Sequence, residues 1–313
     1  MAALILCCLL AGCTDVTGEI PDKEEQATEF SVSFFSEGKK YYGAVVNKGG
    51  YVGKPAKDPE KPSYRFTGWY SDEECTQLFD FSTPITKSII LYSNFVIDET
   101  KILEGLEKLN TSFVKISNKS FNVDKDGKET ESVTEEAVGF IFNVSNGYFF
   151  AITNHHATVK RNGFNQQEVT VTDFKGRTYQ GRFYAGRGGR ATSSDYDLSV
   201  VCCEYNKTDL KAAPISKTDV QDEQIIFARG FGKDEVAYGS VGKLDLATVP
   251  MEEYLSNITF EVIHHNALLD NVEGIVFNLD HQIVGFTYAN DGGVSYAIPA
   301  QRIYDFLYAF VYK

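Results

Sequence analysis

Short apolar runs separated by glycine-containing turns fill most of this 313-residue sequence, and they constrain its fold more than any other feature. One run alternates, "FSVSFFS" from Phe30 to Ser36, and others are continuous, such as "GIVF" from Gly274 to Phe277. Runs of this length bounded by turn residues are typical of β-strands. Helical spacing is limited to Ile102–Leu109, which follows the acidic pair Asp98 and Glu99, and to Ala300–Val311. The chain is therefore predicted to be mainly β, as barrels or sandwiches.

The composition is that of a folded protein with an acidic surface. Hydrophobic residues make up 43% and charged residues 23%, and the length is enough for about two domains. The 30 basic and 43 acidic residues give a net charge of −13. Because such a chain is repelled by phosphate backbones, nucleic acid is not an expected partner.

The first residues, "MAALILCCLLAGC", predict an exported lipoprotein. The apolar run Ala2–Leu10 has the length of a signal-peptide core and is too short to span a bilayer. Its end, "LLAGC", resembles a bacterial lipobox, which implies cleavage before Cys13, a lipid on that cysteine, and an extracytoplasmic protein anchored to the cell membrane. The alternative is a buried apolar helix or strand. The polar, acidic segment Thr14–Glu29 is predicted to be a flexible tether.

A small aromatic module is predicted between residues 30 and 97. Its motifs "GWYSD", "FDFSTPIT" and "ILYSNF" resemble the internalin B-repeat, also called the Listeria-Bacteroides repeat. That resemblance implies a small grasp-like sheet with a helix, used as a spacer or weak ligand binder. Trp69, Tyr70, Phe79 and Phe81 are expected to form its core, because a domain this small needs their apolar area to stay folded.

The remaining cysteines and paired histidines do not indicate a disulfide framework or a metal centre. Cys75, Cys202 and Cys203 are few and unevenly spaced, and the last two are neighbours that face opposite sides of a strand. His264 and His265 are neighbours too, so they are not expected to hold one metal ion. No metal or other cofactor is predicted.

Three segments between residues 98 and 313 must be considered together. The first, "VGFIFNVSNGYFFAITNHHATV", has a turn at "SNG"; the second, "SSDYDLSVVCC", places Asp197 before an apolar strand; the third is "LLDNVEGIVFNLDHQIVGF". In this order they resemble the trypsin-like serine peptidases, and in particular the HtrA branch with its "LTNNHV", "DIAVL" and "GNSGGALVN". The resemblance implies a double β-barrel closed by a C-terminal helix.

The resemblance also assigns roles to positions. It matches His156 to the general base and Asp197 to the carboxylate that orients it. Where the family has "GNSGG", this sequence has Asp270, Asn271, Val272, Glu273 and Gly274, so that Val272 replaces the serine. Asp270 and Glu273 replace glycines of the loop that binds the oxyanion.

Because the isopropyl group of Val272 cannot attack a carbonyl, the sequence predicts a catalytically inactive homologue. Ser240, Ser295, Cys202 and Cys203 are poorly placed substitutes. His156 and Asp197 are then expected to remain mainly as a hydrogen-bonded structural pair. The predicted role is a scaffold, or a module that binds an extended peptide or protein in a groove edged by Gly285–Tyr296. The alternatives are a pure stalk element and an active serine endopeptidase with an unrecognised nucleophile.

Overall fold

The computed structural model describes residues 28–186, 189–231, 236–251, 256–269 and 274–312. The chain divides into two compact units. The first comprises residues up to Lys61 and Arg65–Val96, and the second comprises Pro62–Tyr64 and Ile97–Lys313. Each unit has its own hydrophobic core.

The first unit is a four-stranded sheet. Its strands are β1 (Glu29–Ser36), β2 (Lys39–Asn47), β3 (Tyr64–Tyr70) and β4 (Ile89–Ile97), in the order β2-β1-β4-β3. β1 and β4 are parallel, as in a grasp-like sheet. The expected helix is absent from the described residues 28–96, where turns and extended segments cover the sheet instead.

Aromatic packing holds this module together, largely as predicted. Trp69 is buried and meets the ring of Phe34 edge-on at 4.9 Å. Phe79 and Phe81 are half-buried against the same core. Tyr70 was expected in the core but lies outside it, because neighbouring side chains on a strand face opposite sides.

The second unit begins with the predicted helix. Helix α1 (Glu99–Lys108) starts at Asp98, whose carboxylate accepts a hydrogen bond from the Thr100 amide at 3.1 Å. A short 3-10 turn, Leu109–Ser112, follows and leads into the first barrel strand.

Two antiparallel six-stranded barrels follow α1 and confirm the predicted double barrel. The first barrel closes in the order β13-β7-β6-β5-β8-β9, with β9 paired to β13. Its strands are β5 (Phe113–Val123), β6 (Glu129–Ser145), β7 (Tyr148–Asn154), β8 (Gln166–Asp173), β9 (Thr178–Phe183) and β13 (Leu198–Glu204). Three short strands lie between β9 and β13: β10 (Ala185–Gly186), β11 (Gly189–Arg190) and β12 (Thr192–Ser193).

The second barrel closes in the order β14-β15-β16-β19-β18-β17. Its strands are β14 (Ile225–Arg229), β15 (Val236–Met251), β16 (Ser256–His265), β17 (Gly274–Asn278), β18 (Ile283–Asp291) and β19 (Val294–Pro299). Helix α2 (Ala300–Leu307) and a π-helical turn, Tyr308–Tyr312, close the chain where a helix was predicted. The largest core cluster draws on both barrels and α2.

Local sequence signals explain the hairpin that leads to His156. β6 and β7 pair in register up to Ser145 and Tyr148, which leaves Asn146 and Gly147 as a two-residue turn. Both residues have positive φ, 53° and 78°, which asparagine and glycine tolerate best. The predicted "SNG" turn is therefore confirmed.

Candidate functional site

His156 and Asp197 come together at one end of the first barrel. His156 begins a 3-10 turn, His156–Thr158, just after β7, and Asp197 immediately precedes β13. β7 and β13 are antiparallel neighbours with Asn154 opposite Leu198. The end of one strand and the start of the other therefore carry the two side chains to the same point.

The two side chains form a close, oriented pair. Nδ1 of His156 lies 3.0 Å from Oδ1 and 2.9 Å from Oδ2 of Asp197. The His156 amide also donates to Oδ1 at 3.0 Å, and Asn154 Nδ2 donates to Oδ2 at 3.1 Å. Asp197 is fully buried, whereas the His156 side chain is 32% exposed. The carboxylate thus fixes Nδ1 as the protonated nitrogen, which leaves the lone pair on Nε2.

Backbone geometry and helix α2 position Asp197. Its φ is +51°, in the left-handed region, and its carbonyl accepts from the His155 amide at 3.0 Å. Arg302, on α2, donates to the carbonyl of Asp195. The Arg302 guanidinium also lies 4.7 Å from the ring of Tyr196. The closing helix therefore supports the turn that carries the carboxylate.

Two amide side chains that the sequence analysis missed support the His156 turn. Asn118, fully buried on β5, donates to the carbonyls of Ala157 at 3.1 Å and Val159 at 2.9 Å. Gln167 Nε2 donates to Asn118 Oδ1 at 2.9 Å and to the Thr158 carbonyl at 2.7 Å. An asparagine at an inward position of "FVKISNKSF" is the signal that could have revealed this support.

His155 belongs to a separate hydroxyl network. Its Nδ1 is 2.5 Å from Thr192 Oγ1 and 3.3 Å from Ser199 Oγ. Ser199 also contacts Thr158 Oγ1 at 2.9 Å. Burial lowers the pKa of His155, which favours the neutral ring. These contacts hold the chain in place where the His156 turn begins.

The predicted nucleophile loop lies largely outside the described residues. Asp270, Asn271, Val272 and Glu273 fall there, as does Cys13 at the amino terminus. Gly274 is described: it begins β17 and is buried. A Cβ at Gly274 would lie 2.2 Å from Leu269 Cδ1, so a larger residue here would require the Leu269 side chain to move.

Within the described residues, the other candidate nucleophiles occupy structural positions. Ser240 lies within β15, and Ser295 is buried on β19. Cys203 is buried and Cys202 half-buried on opposite faces of β13, and burial raises the pKa of both thiols. Their unreactive thiol form is therefore favoured.

The histidine pair at the end of β16 divides as predicted, one residue on each face. The His264 ring meets the ring of Tyr296 at 4.9 Å, whereas His265 is buried in the second barrel. No group of three or more His, Cys, Asp or Glu residues is placed to bind a metal ion within the described residues.

His265 is expected to make stability depend on pH. Burial lowers its pKa to about 4, below the value of about 6.5 expected in the unfolded chain. The unfolded state therefore binds the proton more readily between these values, and stability is lost as the pH falls from about 6.5 to about 4. His265→Gln should reduce the slope of unfolding free energy against pH in this window by up to about 1.4 kcal/mol per pH unit.

This prediction is measured by urea unfolding at a series of pH values. Thr287→Val is the control, because it removes a neighbouring hydroxyl but keeps the imidazole. The same slope in the native protein and in His265→Gln would contradict the assignment.

A family model and two curated proteins are similar to parts of this sequence. The family model of the Listeria-Bacteroides repeat domain matches residues 30–94. Residues 30–94 are therefore similar to this repeat domain. Two proteins of Evansella cellulosilytica are similar: a putative Gly-rich membrane protein, 37% identical over 71 residues, and a putative membrane protein, 36% identical over 72 residues. Each match covers 22% of this chain, and only 8% and 11% of the respective relatives.

Two solved structures of a bacterial protease are similar to part of this chain. The Rv3671c protease of M. tuberculosis in its active form matches with a TM-score of 0.49 and 14% identity, over 66% of this chain and 84% of that one. An inactive mutant form of the same protein matches with a TM-score of 0.46 and 16% identity, over 66% and 90% of the two chains. In this chain, the second unit contains two closed barrels followed by α2.

Proposed function

We propose that this protein is a catalytically inactive homologue of trypsin-like peptidases that binds extended peptides or protein segments at the bacterial cell surface. The observation that carries the proposal is the ordered pair His156–Asp197 in a chain whose sequence has Val272 at the nucleophile position. By the resemblance, His156 corresponds to the base and Asp197 to its carboxylate, whereas Val272 lacks the atom that they would activate.

Two further sequence changes support the loss of activity. Asp270 stands where the family has the glycine that directs an N–H at the oxyanion, and Glu273 adds a negative charge to the same loop. Negative charge beside a developing oxyanion opposes the reaction. His156 and Asp197 then serve the fold, since Asp197 satisfies three N–H groups at the end of the first barrel.

The edge of β18 supports peptide binding. β17 pairs with β18 only as far as Thr287, although β18 continues to Asp291 along β19. No described residue pairs with the other side of Ala289–Asp291. A strand with one unpaired side can accept an extended peptide through main-chain hydrogen bonds.

The surface location is supported from the amino-terminal side. The sequence up to Cys13 resembles a lipoprotein signal, and the two similar proteins of Evansella cellulosilytica are named putative membrane proteins. Within the described residues, no helix is long and apolar enough to span a membrane. Attachment through a lipid on Cys13 is the proposed means of anchoring.

Strand addition predicts a specific sensitivity to peptide backbone chemistry. Peptides that bind the purified protein are first selected from a random displayed library. N-methylation of alternate backbone amides in these peptides should weaken their binding by about tenfold or more, because methylation removes main-chain hydrogen-bond donors. The same peptides methylated at the other alternate positions serve as the matched control, and fluorescence anisotropy is the measurement. Equal binding by all forms would contradict strand addition, and failure to select any peptide would favour a stalk role.

A further inference from the structure

The sheet of the first unit has an apolar groove on the face opposite its core. Val32 and Phe34 of β1 are buried in that core, and the alternate residues of the strand point to the other face. There Phe35 of β1 lies directly beside Tyr92 of β4, and both side chains are half-buried. Together with Ile90, which is 44% exposed, these two rings line a groove of about 420 Å³. We call it the outer groove.

Two glutamates at the ends of neighbouring loops also line the outer groove. Glu37 comes from the turn between β1 and β2, and it is paired with Lys61 at 2.7 Å. Glu73 comes from the loop after β3, is exposed, and forms no ion pair within the described residues. Asp72 fixes that loop, because its carboxylate accepts from the Thr76 amide at 2.8 Å and from its hydroxyl at 2.7 Å. The free carboxylate of Glu73 is therefore carried on an ordered turn.

The electrostatic potential at the outer groove is negative. Cys75 also lines it, and the pKa of this thiol is raised by burial and, in addition, by the charges of Asp72 and Glu74. Lys40, on β2, lines a neighbouring depression of the same face instead, where its side chain extends over Gly43. A cation that enters the outer groove would therefore be attracted to it.

We propose that the outer groove binds a basic side chain, lysine or arginine, of a partner protein. The aliphatic stem of such a side chain matches the apolar floor. Its cationic head gains both from the two aromatic rings and from the free carboxylate of Glu73. This site belongs to the repeat module and does not rest on the peptide binding proposed for β18.

The same face offers a surface for the main chain that carries the basic residue. Ser33 is directly beside Ile90, and it also lines the neighbouring depression, which has a volume of about 370 Å³. Val45, on the far side of that depression, is 68% exposed. A protein segment can therefore place a basic side chain in the outer groove and continue across the sheet. This continuity favours a protein partner over a free amine.

The test is methyl NMR of the purified protein with isotope-labelled isoleucine, because Ile90 lies in the floor of the outer groove. Its signal is assigned by its loss in Ile90→Val. The probe is an acetylated and amidated glycine–lysine–glycine peptide, compared with peptides that hold arginine, norleucine or glutamate in the central place. The lysine and arginine peptides should shift the Ile90 signal and bind about tenfold more tightly than the norleucine peptide, which has an aliphatic stem but no charge. The glutamate peptide should bind most weakly.

Two variants test the contributions of charge and ring separately. Glu73→Gln and Tyr92→Leu should each reduce the preference for lysine over norleucine by about threefold. Glu74→Gln is the matched control, since it removes the same charge from the same loop but lies outside the groove lining, and it should keep the preference. If Tyr92→Leu does not fold, Glu73→Gln, at an exposed side chain, still decides the question.

The outcomes that contradict the proposal are distinct. Equal binding of the lysine and norleucine peptides, or an Ile90 signal that no peptide shifts, would overturn the site. Equal losses in Glu73→Gln and Glu74→Gln would show a general attraction to an acidic surface in its place. Pentylamine that binds as tightly as the lysine peptide would overturn the assignment to a protein partner. Peptide binding at β18 is tested separately by the N-methylated peptides, so either proposal can fail alone.

Discussion

Val272→Ser alone is expected to leave the protein without measurable peptidase activity, whereas the triple variant Asp270→Gly/Val272→Ser/Glu273→Gly is expected to cleave peptides. By the resemblance to trypsin-like peptidases, serine at position 272 would supply the nucleophile that the imidazole of His156 activates, and Nδ1 of that ring is held 2.9 Å from Asp197. The single variant would still carry Asp270 and Glu273 where the family has the glycines of its oxyanion loop, and one oxyanion donor contributes roughly 100- to 1000-fold to rate. The triple variant should therefore exceed the single variant by at least about 100-fold.

The measurement is cleavage of fluorogenic casein and of a peptide library. The triple variant that also carries His156→Ala is the matched control, and it should lose the activity because no base remains. Equal activity of the single and triple variants would show that Asp270 and Glu273 do not impair oxyanion binding. An inactive triple variant would contradict the view that the His156–Asp197 pair is still competent.

Asp197→Ala is expected to lower the free energy of unfolding by about 3 kcal/mol. The carboxylate is fully buried and accepts from Asn154 Nδ2, the His156 amide and the His156 ring. Removing it takes a buried acceptor away from three donors at once, which costs more than the loss of one exposed hydrogen bond. This loss of unfolding free energy is the result expected if the His156–Asp197 pair serves the fold.

Urea unfolding measures the effect. Asp195→Ala is the matched control: the Asp195 side chain is exposed, and its contact with Arg302 uses the backbone carbonyl, so a change within about 0.5 kcal/mol is expected. Similar small losses in both variants would mean that the Asp197 pair contributes nothing to the fold. That result would favour retained proton chemistry as the reason for keeping His156 and Asp197.

Local signals account for the parts of the fold that the sequence predicted. The Asn146–Gly147 turn, the Asp98 helix cap and the closing helix each follow from residues a few positions apart. The ordered motifs around His156 and Asp197 then placed these pieces in a double barrel. The pairing of β7 with β13, which brings the two residues together, agrees with that expectation.

The sequence could not predict the supports that act across long distances in the chain. Asn118 holds the His156 turn from about 40 residues away, and Arg302 holds the Asp197 turn from more than 100. The contact between His265 and Thr287 also depends on the order of strands in the closed barrel. A register between distant strands is set by packing of the whole barrel, so neighbouring residues carry little signal for it. The repeat module lacks the expected helix in its described part, since turns and extended segments cover that face of the sheet.

The most direct test of the central claim is to treat the unmodified protein with a fluorophosphonate probe and, in parallel, with the casein and peptide-library substrates. Val272 offers no atom for the probe, so no serine should be labelled and no substrate cleaved. Labelling or cleavage that disappears in His156→Ala would show that another residue acts as the nucleophile and that the protein is an active peptidase.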